Sequence, residues 1–176
     1  MSLRIVLWSA GGALLLAPGV AMHFTDQVRW GPLDFAVFGA MIAGAGMLFE
    51  FALRASGDLA YRAGAALALA TAFLIVWISL AVGIIGATAD PANLLYAAVL
   101  AISAIGAAHA RLRAEGMARA MRTTGIAQAL VAPVALSDGL VPCLATLFFA
   151  TLWLASAWLF GRASRRHRSP TTSSLC

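Results

Sequence analysis

The sequence predicts an all-α polytopic membrane protein: a bundle of six transmembrane helices with both termini on the cytoplasmic side. Three observations carry this. The chain of 176 residues is 62% hydrophobic and 11% charged, whereas soluble domains are about one quarter charged. Its apolar stretches are continuous, rich in Ala, Leu and Gly, and near the ~20 residues that cross ~30 Å of hydrocarbon, unlike the alternating ten-residue strands of a barrel. Its twelve basic residues, all arginine, fall between those stretches so that alternate loops hold almost all of them.

The first span is read at residues 3–22. It has the small residues of a signal-peptide cleavage site near Gly19 and Ala21, but it is as long as a span and others follow, so an uncleaved first helix is the simpler reading. The second is placed at 35–53, the third at 63–86, the fourth at 91–110, the fifth at 117–136 and the sixth at 142–160. The fifth carries Arg119, Arg122, Gln128 and Pro133, so a re-entrant or surface helix competes with a crossing there. Six crossings put every arginine except Arg29 on one side, the bias expected of the inner loops of a cytoplasmic membrane protein. Residues 1–161 then form the membrane domain and 162–176 a basic, disordered cytoplasmic tail whose arginines suit anionic lipid headgroups.

Acidic residues fit the same map. Asp34, Asp90 and Asp138 stand near the starts of the second, fourth and sixth spans, where a carboxylate caps free N–H groups and meets the positive end of the helix dipole. Arg54, Arg111 and Arg162 follow those spans at the opposite pole. Small pairs four apart, Ala40 with Gly44, Gly64 with Ala68 and Ala104 with Ala108, are candidate helix contacts. Trp8, Trp30, Trp153 and Trp158 are read as interfacial rings, and Trp77 as packed between helices.

The segment MHFTDQVRW with the DF that follows, then VWISLAVGIIG and PANLLY, resembles a family of small, uncharacterised bacterial multi-pass membrane proteins, over roughly residues 16–135. The resemblance implies a multi-pass fold and lends no chemistry. His23, Gln27 and Arg29 depart from the family's usual polar residues there.

Two candidate sites emerge. Glu50 is the one carboxylate placed inside a span, where ionisable residues are costly and often functional; Arg54, one turn on, offers an interfacial ion pair as the structural alternative. The outer loop gathers His23, Thr25, Asp26, Gln27, Arg29 and Trp30, either a binding site or an amphipathic turn anchored at the headgroups. Asn93 and Gln128 are the amides nearest the hydrocarbon, suited to bonds across the bundle.

The histidines and cysteines are divided between the two sides, the span serines have no adjacent base, and the arginines are scattered instead of gathered on one surface. No cofactor, metal, enzymatic activity or nucleic-acid partner is therefore expected. The reading is a non-enzymatic membrane component in contact with the bilayer, either packing against a membrane-protein partner or second copy or passing a small solute. The alternatives are a small-solute or proton-coupled transporter using Glu50, and a membrane enzyme or redox accessory with an outer-loop site.

Overall fold

The computed structural model describes residues 2–25, 29–88 and 90–168. Among them every regular element is helical: α1 (Ser2–Ala21), α2 (Pro32–Ala55), α3 (Leu59–Ala81), a 3₁₀ turn (Pro91–Asn93) leading into α4 (Leu94–Ala110), α5 (Ala114–Leu130), α6 (Ala132–Ser137) and α7 (Leu140–Arg168). Five are long and apolar enough to cross a membrane: α1, α2, α3, α4 with its leading turn, and α7. The all-helical class holds among the described residues, and five helices able to cross a membrane fit a membrane protein. The stretch expected as a fifth span is instead two helices meeting at Val131. Pro133 sits in the first turn of α6, where its missing N–H and its ring prevent a continuous ladder from α5.

Local chemistry explains where the helices begin. Trp30, Gly31, Pro32, Asp34 and Phe35 open α2 together. The Gly31 N–H donates to Asp34 Oδ2 at 2.7 Å, proline occupies the first helical position, and Trp30 meets Phe35 edge-on at 5.2 Å. This is one half of a capping box together with a hydrophobic staple. Asp58 starts α3 by accepting the Tyr61 N–H at 3.0 Å, four residues earlier than the expected boundary. Asp90 caps the turn before α4 through the Ala92 N–H at 2.8 Å, with Pro91 next. Asp138 does something else: it accepts the Gly86 N–H at 2.7 Å, 52 positions away.

The third span stops at Ala81, not at 86, because Gly83 and Gly86 turn the chain with φ of +77° and +57°. These values favour glycine over any side chain. At the other end, α7 runs on to Arg168, so residues 162–168 are helical, not the start of a disordered tail. Arg162 therefore lies inside the helix, over the Trp158 ring at 5.3 Å, and Arg166 reaches Asp58 at 3.6 Å. Residues 169–176 lie outside the described part of the chain.

The chain divides into two compact units, Met1–Phe51 and Ala52–Cys176. In the first, α1 and α2 approach at glycines: a Cβ on Gly11 would lie 2.9 Å from Ile42, and one on Gly46 would lie 3.3 Å from the Trp8 ring. Only Phe38 and Gly46 are buried among its described residues. In the second, α5 packs on α4 and α7, and α3 packs on α7, around Tyr61, Ile75, Tyr96, Met121, Phe149, Trp153 and Phe160.

The close approaches in the second unit are at Gly64 against Leu159 and Phe160, Gly106 against Ala120, and Gly125 against Trp153 and Leu154. Of the three small pairs, Gly64 with Ala68 is packed, whereas Ala104 with Ala108 and Ala40 with Gly44 are exposed. Trp153, expected near an interface, is wholly enclosed. Extension of α7 at both ends places it mid-helix.

Candidate functional site

Glu50 lies half-buried in the penultimate turn of α2. Its Oε1 accepts the Trp8 indole N–H from α1 at 2.9 Å. Gly46, one turn earlier, leaves room for that indole, so a missing side chain on α2 positions a donor for the carboxylate. A bond to a charged acceptor contributes about 1.5–3 kcal/mol when enclosed and less at this half-exposed position. Arg54, exposed, follows one turn on. The couple can hold a carboxylate within an apolar hairpin, and Glu50 keeps a titratable group there.

The outer loop is more dispersed. Asp26 and Gln27 lie outside the described residues. His23 and Arg29 are exposed, and Thr25 is half-buried in the turn that ends α1. Trp30 is held by Phe35 and by Phe38, the latter edge-on at 5.3 Å, so its described contacts belong to the start of α2. Phe24 is 85% exposed, as suits a ring resting among headgroups.

The second unit contains two polar arrangements. One is a lock at the α3–α4 turn. Asn93 Oδ1 accepts the N–H groups of Ile84 and Ile85 at 3.0 and 3.1 Å, while its Nδ2 donates to the carbonyls of Ile85 and Ala87 at 2.9 and 3.0 Å. One amide thus satisfies four backbone groups of a non-helical segment, which an apolar surrounding requires of any irregular backbone. With Asp138 on Gly86, the VGIIG and PAN segments prove to be parts of one turn.

The other is a row of enclosed polar groups. On α7, Ser156 donates to the Gly64 carbonyl of α3 at 2.8 Å, and Thr146 shares a 2.6 Å bond with the Tyr96 hydroxyl of α4. These residues lie ten positions apart, ~15 Å along the helix. Between them on α7 stands Trp153, packed against Gly125 of α5, and Gln128 follows one turn on in that helix. Trp153 and Gln128 are both 0% exposed, and neither the Trp153 Nε1 nor either polar atom of the Gln128 amide has a hydrogen-bond partner. An enclosed polar group without a partner costs about 1–3 kcal/mol by protein substitution data. Sequence reasoning singled out Gln128 and counted Ser156 among the span serines without an adjacent base, suited to a bridge between helices, but missed Thr146, Tyr96 and the true depth of Trp153. Only partners far apart in the chain reveal them.

At one end of this unit a cleft of about 570 Å³ is lined by residues including Ser56, Tyr61, Arg111, Arg113, Glu115 and Ser164. Its rim contains two consecutive left-handed residues, Arg111 and Leu112, and the Tyr61 hydroxyl holds the Leu112 carbonyl at 2.8 Å. Among the described residues no three His, Cys, Asp or Glu side chains gather as a metal site.

Comparison with known protein families, with curated proteins and with solved structures finds no match to this chain.

Proposed function

We propose that the chain is a six-crossing, non-enzymatic component of the cytoplasmic membrane, with both termini inside, that associates through α1 and α2 with another membrane helix. The observation that carries the association is the bare surface of that pair. No described residue of α1 is buried, and a Cβ placed on Gly12 or Gly44 would meet nothing within 4 Å. An uncovered glycine within a helix costs about 1 kcal/mol relative to alanine. A close helix–helix contact is the usual return on that cost.

A sixth crossing is supported by the exposed stripe of α5 and α6. It runs from Glu115, Arg119, Arg122 and Thr123 to Ile126, Leu130, Val134 and Leu136, with Ser137 exposed at its end, so the charges stand at one end of a largely apolar outer face. The 17 residues of α5 and the six of α6 rise ~25 and ~9 Å at 1.5 Å per residue, together near the ~30 Å of hydrocarbon where the second helix continues the first. Among the span hydroxyls, those of Thr71, Thr124, Thr146 and Ser156 donate to backbone carbonyls, which favours a non-catalytic role, while the buried Ser79 Oγ has no partner. The open arginines around the α4–α5 turn suit anionic headgroups on the same side.

The test is purification in native nanodiscs. The expected result is a stable complex, with a second copy or another membrane protein, that Gly44→Leu disperses; a solitary chain indifferent to Gly44→Leu refutes the association. Cys176 should react with an impermeant maleimide only after the membrane is opened.

A second reading, proton or cation handling, is favoured by the Trp8–Glu50 bond. It predicts that Glu50→Gln abolishes flux in proteoliposomes while helicity is retained. Unchanged flux rejects it.

A further inference from the structure

We propose that Gln128 and Trp153 together hold one water molecule in the middle of the second unit, between α5 and α7. Two enclosed side chains present three polar atoms that nothing in the protein satisfies, on facing helices. The Cβ position of Gly125 lies 3.3 Å from the Trp153 Cβ, and Gln128 is one turn further along the same buried face of α5.

The direction of the side chains brings the two groups together. Only Asp138 and Gly139 separate α6 from α7, so α7 returns antiparallel to the path of α5 and α6. A helical side chain leans over the turn that precedes it. Gln128 therefore leans back toward the level of Trp153, and Trp153, on the returning helix, leans toward the level of Gln128. The two approach without bonding directly.

The chemistry of the pair defines its guest. Gln128 offers two donors and a carbonyl acceptor, and Trp153 offers a single donor. A water molecule accepts the indole N–H, donates to Gln128 Oε1, and has a second lone pair for another donor, which meets the two to four partners a buried water needs. An ion does not fit: the other enclosed polar side chains, Thr71, Thr124, Thr146 and Ser156, carry no charge among the described residues. An apolar guest would leave all three atoms unsatisfied.

The experiment uses the full chain in nanodiscs with ¹⁵N-labelled tryptophan, the Trp153 indole signal being assigned by its loss in Trp153→Phe. The expected result is a rotating-frame cross-peak between that indole proton and water, of the sign that marks dipolar contact and not proton exchange. Gln128→Met, of similar volume but without the amide, should abolish the cross-peak and lower Tm by several degrees, because the indole then loses its bridge. Absence of the cross-peak in the folded wild type overturns the proposal, whatever the variant does. So does a rise in Tm for Gln128→Met, the response of an amide that was merely stranded.

Discussion

Replacing Asn93 by alanine tests the lock at the α3–α4 turn. The side chain makes four bonds, two accepted and two donated. Ile84 and Ile85 are 7% and 4% exposed, so water cannot replace the bonds to their backbone groups, whereas the Ala87 carbonyl is exposed and can be solvated. Three bonds therefore count, at about 0.5–1.5 kcal/mol each, giving a loss of roughly 2–4 kcal/mol. For a chain of this length each kcal/mol corresponds to about 2–4 °C in melting temperature, so thermal unfolding in detergent followed by circular dichroism should fall by about 5–15 °C. Asn93→Asp keeps the shape and both accepted bonds but turns an oxygen toward two carbonyls, so it should fall as far as alanine. If Asn93→Ala melted within about 2 °C of the wild type with its helicity intact, the lock would not be holding this turn.

Other substitutions probe single contacts. Trp8→Phe removes the donor to Glu50 and should lower stability by about 1 kcal/mol, and a double-mutant cycle with Glu50→Ala should show coupling of similar size; zero coupling would mean that the 2.9 Å bond contributes nothing. Gly125→Ala places a methyl 2.9 Å from Leu154 and 3.3 Å from Trp153 and should cost about 1–3 kcal/mol by forcing α5 from α7, read as a lower Tm. Ser156→Ala removes the enclosed bond to the Gly64 carbonyl and should cost about 0.6–1.7 kcal/mol, the range for such bonds within membranes, while Thr151→Ala, whose bond to Phe148 is exposed, should leave Tm unchanged.

Hydropathy alone marks the five apolar helices, because lipid and protein interiors favour the same side chains. Turn chemistry sharpens their ends: Asp90 with Pro91 reads directly as a helix start. The Gly31, Pro32, Asp34 and Phe35 pattern carries a similar signal, and it places α2 three residues before the expected boundary. Asp58 carries a similar signal, but Arg62 breaks the apolar run after Leu59, Ala60 and Tyr61, so a hydrophobic count starts the span at 63 and does not see the cap.

What the sequence leaves hidden are pairings between distant positions. Glu50 has a charged neighbour four residues on, so Arg54 draws attention, while Trp8, 42 positions back, supplies a donor that only the approach of two helices can reveal. Trp153 shows the same limit. A tryptophan in an apolar run suits either an interface or a core, and the choice depends on how far α7 continues. Asn93 and Gln128 were recognisable as costly amides in apolar surroundings, yet one is fully bonded and the other has no partner in the protein. Residue type indicates the cost; only the fold decides whether it is met.

The two halves of the chain use opposite means to fit an apolar medium. In α1 and α2 hydrophobic side chains face outward and few residues are enclosed, so composition alone identifies these helices as spans. In α5, Met117, Ala118, Ala120, Met121, Thr124, Gly125 and Gln128 are buried, against neighbours that include α4 and α7. A helix enclosed by other helices need not be apolar all round; its outer stripe must suit lipid and its inner faces must suit protein. Small residues such as Gly125 and Ala120 let the backbones approach, and that closeness leaves Gln128 little choice of neighbour. The charges that hide α5 from a hydropathy search, Glu115, Arg119 and Arg122, are exposed toward one end; its place inside the bundle accounts for the enclosed Thr124 and Gln128. It also explains why the unsatisfied amide occurs on this helix and not on one facing lipid, where no second side chain would be close enough to share a bridge.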